Sequence, residues 1–270
     1  MAYRLTFFSV VAFGVFINSF LPSLANAKLM PEMTPIFLSV SMVTVLIGYQ
    51  EGIGSGLFMS FLASANIDNS FETFILLSVV VLSTTLTTRH IERRIEIARA
   101  GFEVSLIFTA VNLVRMILQG EPINALDLAV AYANPILSSV IVIGIVPYIE
   151  YVSRIYSDTG MLELGNLSHP LLKNLSIYAP GTYYHSISLA NLSEAAAEKI
   201  GANPILARVA AYFHDIGKSR RPQYFIENQQ DGINPHDSIT PSMSNLVINE
   251  HVKQGVELAR KYRLPLLIED

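Results

Sequence analysis

The chain has 270 residues, of which 51% are hydrophobic and 15% are charged, and its mean hydropathy is +0.42. Soluble domains carry about 25% charged residues, so this composition excludes an ordinary soluble globular protein and a disordered chain. The absence of cysteine excludes a disulfide scaffold, a thiolate zinc site and a cysteine nucleophile. A formal net charge of −4 predicts that no nucleic acid polymer is a partner.

The charged residues divide the chain into two parts. Residues 1–150 contain 17 of the 40 charged side chains (18 basic and 22 acidic), whereas the remaining 120 residues contain the other 23 and five of the six histidines. This distribution predicts a transmembrane helix bundle over residues 1–150, a connector over 151–178 and a soluble domain over 179–270. No alternating strand pattern occurs in the second part, and the predicted fold class is all-α.

The first part contains six stretches with little or no charge, at 5–27, 33–50, 52–67, 73–88, 104–120 and 128–149. A helix needs about 20 apolar residues to cross a bilayer, and the first, second and last stretches are long enough. The third and fourth are short and would cross the bilayer only if neighbouring helices shielded them. We therefore predict about six spans in contact with the lipid bilayer. Five spans remain the alternative, and the small residues at 25–27 also resemble the cleavage site of a signal peptide.

Basic residues in the short loops predict the orientation. The loop at 89–99 carries four arginines, and the loop at 119–123 carries no basic residue. The first loop is therefore expected in the cytoplasm and the second outside. The last span then delivers residues 151–270 to the cytoplasm, which predicts a multi-pass protein of the cell membrane.

Turn and capping signals divide the second part into helical segments. His169, which precedes a proline, is expected to be a surface or capping residue. A turn is predicted at 179–182 and a polar loop at 220–237. The predicted helices run from 185 to 200, from 204 to 216, from about 240 to 262, and from 264 onward.

The histidines fall at informative places on these helices. His185 begins one helix, His214 and Asp215 end the next, and His251 lies in the middle of a later one. Without thiolates, imidazole and carboxylate are the available ligands, and they suit iron, manganese or zinc. Consecutive helical side chains diverge by about 100°, so His214 can serve one metal while the oxygens of Asp215 bridge two. Two such metals can clamp a phosphoryl group and activate a shared water.

A His-Asp pair alone is common by chance, but its surroundings carry a longer motif. The segments are HPLLKNL, YAPGTYYHS, HSISLANLSEAAAEKIGANPILARVAAYFHDIGK, PQYFIENQ and NPHDSITP. They resemble the HD phosphohydrolase domain of the seven-transmembrane HD family, closely over residues 160–270 and loosely over the membrane part. The resemblance implies a cytoplasmic all-helical domain that hydrolyses cyclic-di-AMP to pApA with two divalent metals, iron or manganese.

The resemblance also implies roles for particular residues. His185, His214 and Asp215 match metal ligands, and His251 matches a ligand of the second metal. His214 and Asp215 thereby belong to the catalytic centre. Lys218 matches a candidate catalytic residue that contacts phosphate, although a solvated lysine at a helix end is an equally good interpretation. His236 matches a family position near the site.

Two departures from the family bear on these expectations. Tyr184 stands where many members carry a second histidine. A His-His-Gly segment and a last aspartate ligand are expected to follow residue 270, and a further span and an extracytoplasmic domain are expected to precede the bundle. We therefore expect a truncated HD domain, with weak metal binding and little activity in this chain.

The sequence leaves alternative functions open. The HD-like domain can belong to a membrane receptor or scaffold that binds a nucleotide without turnover. A metal transporter is a weaker alternative, because the predicted spans are nearly bare of ligands. The metal, the choice among cyclic-di-AMP, cyclic-di-GMP and mononucleotides, and the formation of a homodimer are also left open.

Overall fold

The computed structural model describes residue 14 and residues 31–65, 70–229 and 232–269. Within these ranges the regular elements are helices and no strand is present, which confirms the all-α fold class. The chain divides into two compact units, Met1–Thr159 and Gly160–Asp270. Apart from residue 14, the stretch predicted as the first span lies outside the described residues, as does the signal-peptide alternative.

The first unit is a bundle of apolar helices. Helix α4 packs against α3 and α5, while α1 packs against α2, α3 and α5. Buried Phe37, Leu77 and Phe108 lie in one core cluster of the bundle. The helices are α1 (Ile36–Leu46), α2 (Tyr49–Ser64), α3 (Ser70–Thr87), α4 (Ile95–Gln119) and α5 (Ala125–Ser153).

Two of these helices are long and apolar enough to cross a membrane. They are α4, with 25 residues, and α5, with 29 residues. The apolar segments Pro31–Leu46 and Phe71–Thr87 are shorter. Among the described residues, length and composition therefore support two spans, and the total of about six stays a prediction.

A buried ion pair joins the start of α4 to the end of α5. Arg94 Nη2 lies 3.0 Å from Glu150 Oε2, and the Glu150 side chain is only 2% exposed. Glu150 Oε1 also accepts a hydrogen bond from the backbone N–H of Ser157 at 3.0 Å. The end of α5 is therefore fixed beside the loop that precedes α4.

The second unit is built from short helices and 3₁₀ turns. Its core contains Leu172, Tyr212, Phe213 and Leu264. The chain from residue 158 forms α6 (Asp158–Leu164), α7 (Pro170–Tyr178), α8 (Pro180–Ile200), α9 (Pro204–Phe213), α10 (Pro241–Lys261) and α11 (Leu266–Glu269). The 3₁₀ turns are Ile216–Arg220, Pro222–Tyr224, Ile226–Asn228 and Pro235–Ser238.

Caps explain where these helices begin and end. The Asn203 side chain accepts a hydrogen bond from Leu206 N at 2.9 Å, just before the proline that begins α9. Gly201, at φ +70°, ends α8. Helix α8 begins at Pro180, earlier than the predicted 185, because proline is well suited to the first helical position. The predicted turn at 179–182 is therefore largely the first turn of this helix.

Candidate metal centre

Three side chains of the second unit gather around one point. His185 lies on α8, and His214 and Asp215 follow the end of α9. Each offers a ligand atom, and these atoms lie within 4.8 Å of one another. The imidazole rings of His185 and His214 have centroids 5.6 Å apart. The structure thus brings these three predicted ligands together.

The carboxylate of Asp215 is the centre of this group. Its side chain is 8% exposed, and its Oδ2 atom lies 3.0 Å from His214 Nε2. The other oxygen, Oδ1, lies 3.6 Å from Nε2 of His251, which reaches the site from α10. The two oxygens of one buried carboxylate therefore face two different imidazoles.

The backbone at the His-Asp pair differs from the helix that the sequence predicts. Helix α9 ends at Phe213 rather than at residue 216, and Asp215 has φ −116° and ψ 18°. The expected divergence of about 100° applies only to consecutive residues within a helix. Because Asp215 lies outside the helix, its side chain turns back to meet His214.

Backbone carbonyl groups orient two of the imidazoles. His214 Nδ1 lies 2.8 Å from the carbonyl oxygen of Ala211, and His251 Nδ1 pairs in the same way with the carbonyl of Ile248. An Nδ1 atom that pairs with a carbonyl turns Nε2 toward the site, which is a common arrangement for metal-binding histidines. In both residues Nε2 is the atom that faces Asp215.

Lys218 lies beside the carboxylate rather than in solvent. Its Nζ atom is 2.7 Å from Asp215 Oδ2 and 2.9 Å from Glu227 Oε1, and its side chain is 15% exposed. The ammonium also lies 4.9 Å from the centre of the Phe225 ring. This placement differs from the solvated helix-end lysine that the sequence allowed as one interpretation.

The charges of this cluster shift the pKa values of its members. Burial opposes ionisation of Asp215, but hydrogen bonds from His214 and Lys218 outweigh it and lower the pKa of Asp215 to about 2. The hydrogen bond to Asp215 raises the pKa of His214. Burial opposes the charge of Lys218, yet its bonds to Asp215 and Glu227 raise its pKa. Burial likewise opposes ionisation of Glu227, whose pKa is nevertheless lowered by Lys218.

Close packing fixes the position of His251. A Cβ atom built on Gly217 would lie 1.9 Å from the backbone oxygen of His251, so only glycine allows this approach to α10. The Phe225 ring packs edge-on against the His251 imidazole at 5.3 Å between centroids.

His236 is engaged with other partners. Its Nε2 atom lies 2.9 Å from the carbonyl oxygen of Tyr224, and its Nδ1 atom lies 2.5 Å from Ser244 Oγ. Both ring nitrogens are therefore used in joining the turn at Pro235–Ser238 to its neighbours. Its role near the site stays a prediction.

The surroundings of the Asp215 cluster also include residues that the sequence did not single out. Glu227 and Thr182 belong to this set, since Thr182 Oγ1 donates a hydrogen bond to Glu227 Oε1 at 2.9 Å. Glu227 lies within PQYFIENQ, a segment that carries the family resemblance, but no spacing argument marks this glutamate as a partner of Lys218.

The donor set fits a divalent metal ion. Imidazole nitrogens and carboxylate oxygens suit iron, manganese and zinc. His185, His214 and Asp215 could hold one ion, and His251 Nε2 lies 3.6 Å from the other oxygen of Asp215. An all-helical unit that gathers imidazoles around a His-Asp pair is typical of the HD class of domains.

Comparison with known families agrees with this class. A family model described as "7TM receptor with intracellular HD hydrolase" matches residues 2–157, and the HD domain model matches residues 182–270. The chain belongs to the family of 7TM receptors with an intracellular HD hydrolase and is therefore a membrane protein. Metal dependence is a property of HD domains, which the donor set fits.

Individual relatives carry more specific names. The cyclic-di-AMP phosphodiesterase PgpH of Bacillus subtilis (strain 168) is 41% identical over 66% of this chain and 26% of its own length. PgpH of Listeria monocytogenes serotype 1/2a (strain 10403S) is 36% identical over 87% of this chain and 31% of its own length. The chain thus spans less than a third of the length of these curated relatives.

A solved structure is also similar to part of this chain. It is the L. monocytogenes PgpH HD domain in complex with cyclic-di-AMP, with 53% sequence identity over 38% of this chain and 49% of that chain. Its TM-score to this chain is 0.38.

Proposed function

We propose that this chain carries the metal centre of a phosphodiesterase that hydrolyses cyclic-di-AMP to pApA at the cytoplasmic face of the membrane. The observation that supports it most is the buried carboxylate of Asp215, whose two oxygens face the imidazoles of His214 and His251. The printed names of the PgpH relatives support cyclic-di-AMP as the substrate.

Two divalent ions, iron or manganese, complete this centre. His185, His214 and Asp215 would hold the first ion, and Asp215 together with His251 would hold the second. When bound, such ions supply an activated water and polarise the phosphate. The protein's own contribution is to hold the imidazoles of His185, His214 and His251 and the carboxylate of Asp215 in fixed positions.

The remaining residues bind and orient the substrate. Asp215 is buried, whereas the His214 side chain is 34% exposed, so the cluster is open to solvent on the imidazole side. A cyclic dinucleotide with two phosphodiesters brings two negative charges to this opening. The Lys218 ammonium lies 2.7 Å from Asp215 Oδ2, and we assign to it the contact with one phosphate of the substrate.

The bundle supports the cytoplasmic placement of this site. The Arg94–Glu150 ion pair holds the end of α5 beside the arginine-rich loop that precedes α4. If this loop is cytoplasmic, as the positive-inside rule predicts, the chain leaves α5 on the cytoplasmic side. Lipid contact by the other predicted spans and homodimer formation remain proposals of the same kind.

Metal content and product formation test the proposal together. We expect the purified full chain to bind Mn²⁺ and to convert cyclic-di-AMP to pApA, even if slowly. His214→Ala combined with Asp215→Ala should remove both the metal and the turnover, and Asp215→Asn, which keeps the shape of the side chain, should do the same. His90→Ala, which removes an imidazole from the first unit, is the matched control and should change neither.

Two results would contradict the proposal. Unchanged Mn²⁺ content in the Asp215→Asn variant would show that the metal binds elsewhere. Binding of cyclic-di-AMP to the Mn²⁺-loaded chain without any pApA would favour the receptor or scaffold that the sequence leaves open.

A further inference from the structure

Lys218 is shared between two carboxylates. Its ammonium lies 2.7 Å from Asp215 Oδ2 and 2.9 Å from Glu227 Oε1. The same Oδ2 atom faces His214 Nε2 at 3.0 Å. In the proposed metal centre, Asp215 Oδ2 would bind the same divalent cation as His214. Lys218 therefore occupies a lone pair of an oxygen that the cation needs.

A lysine ammonium and a divalent cation compete for this oxygen. Both are positive, and they repel each other strongly when they lie a few ångströms apart at a partly buried site. Binding of the cation to Asp215 thus requires Lys218 to withdraw from Oδ2. The cost of the withdrawal depends on whether the ammonium has another partner within reach.

Glu227 is held in place to be that partner. Thr182 Oγ1 donates to Glu227 Oε1 at 2.9 Å, and the neighbouring Asn228 accepts from Thr182 N at 3.1 Å and donates to Thr182 Oγ1 at 2.8 Å. A Cβ atom on Gly181 would lie 1.8 Å from the backbone oxygen of Glu227. The 3₁₀ turn Ile226–Asn228 therefore packs directly against the start of α8.

The Phe225 ring adds a second attraction on the same side. Its centre lies 4.9 Å from Lys218 Nζ, within the range of a cation–π interaction. Phe225 is 8% exposed and packs against His251, so the ring itself is fixed. The long lysine stem can pivot, whereas Glu227 and Phe225 are held in position.

We propose that Glu227 is a positioning residue that takes Lys218 from Asp215 when a divalent cation binds. This inference rests on the proposed metal centre. It assigns to Glu227 the task of freeing Asp215 Oδ2 for the cation while keeping the ammonium at the edge of the site. Glu227 therefore acts on metal affinity through Lys218 and not as a ligand.

The Kd of Mn²⁺, measured by calorimetry on the full chain, tests this role. Lys218→Gln removes the competitor and should tighten Mn²⁺ binding, whereas Glu227→Gln leaves Lys218 with Asp215 alone and should weaken it. Coupled neighbours of this kind change binding by about threefold to tenfold or more. The Lys218→Gln, Glu227→Gln double variant should bind Mn²⁺ like Lys218→Gln alone, since Glu227 has no effect without the lysine.

Two exposed charged side chains at the far end of α8 provide matched controls. Lys199→Gln and Glu198→Gln remove exposed charges at the far end of α8 and should leave the Kd unchanged. If Glu227→Gln weakens binding equally with and without Lys218, Glu227 acts only through its bond to α8 and the inference is wrong. Weaker binding in Lys218→Gln would also overturn it. If the unaltered chain binds no Mn²⁺, the proposed function fails as well.

Discussion

At the scale of single residues, His169 links the stability of the second unit to pH. Its Nδ1 atom accepts a hydrogen bond from Leu171 N at 3.3 Å and so caps α7, as the sequence allowed. Its ring packs edge-on against Phe213 and Tyr262, at 5.2 and 6.2 Å between centroids. Burial lowers the pKa of His169 below its ordinary value of 6.5.

This shift predicts a loss of stability in mild acid. Below pH 6.5 the unfolded chain takes up a proton at His169 that the folded chain refuses, so the free energy of unfolding falls until the lowered folded pKa is reached. His169→Asn keeps a capping side chain without the titration. The urea midpoint of this variant should decline less between pH 7.5 and 5.5 than that of the unaltered chain.

The control for this experiment is His90→Asn, which removes an exposed histidine of the first unit. This variant should keep the full decline of the urea midpoint. An equal decline in His169→Asn and in the unaltered chain would show that His169 does not carry the effect.

Some residues of the site were predictable from the sequence. The order of the motifs marked His185, His214, Asp215 and His251, and the structure brings all four to one cluster. It did not mark Glu227, because the partner of this glutamate on α8 lies 45 residues away in sequence. Spacing along a chain predicts which side chains share a helix face, but not which loop residue meets them.

At the scale of elements, the contact between the turn Ile216–Arg220 and α10 requires glycine on one side only. A Cβ atom on Gly217 would lie 1.9 Å from the His251 backbone oxygen, whereas the nearest atom to a Cβ on Gly255 is 3.7 Å away. Gly217→Ala should therefore push α10 away and destabilise the unit by about 1–3 kcal/mol, as overpacking does.

Gly255→Ala is the matched control across the same contact. It should be tolerated, and it should stabilise α10 by about 0.5–1 kcal/mol because alanine favours the helix interior. Urea unfolding and Mn²⁺ affinity measure both effects, and only Gly217→Ala should lose affinity through displacement of His251. Equal stability and equal affinity of the two variants would contradict this account of the contact.

The helices of the second unit were largely predictable, and their ends were less so. Ile216 is apolar and 3% exposed, so the apolar pattern continues past the true end of α9 at Phe213. The pattern records burial and does not distinguish an α-helix from the 3₁₀ turn that follows. The polar loop predicted at 220–237 likewise contains short 3₁₀ turns.

At the scale of the whole molecule, the uneven distribution of charge predicts a first unit within the membrane and a second unit in the cytoplasm. The chain contains no cysteine, so single substitutions can report its topology. Ile123 lies in the loop without basic residues and is 62% exposed, so Ile123→Cys places a thiol there. A membrane-impermeant maleimide should label this variant in intact cells.

The opposite loop supplies the comparison. Glu92→Cys, in the arginine-rich loop, should react with the same reagent only after the cells are lysed. Labelling of Glu92→Cys in intact cells would reverse the orientation and would place the second unit outside the cytoplasm.

Anomalous X-ray diffraction from Mn²⁺-loaded crystals of the full chain is the most direct measurement of the metal centre. The account predicts two manganese peaks about 3.5–4 Å apart, one against the imidazoles of His185 and His214, the other against His251, with the Asp215 carboxylate between them. Manganese bound at other residues, or no peak beside Asp215, would contradict it.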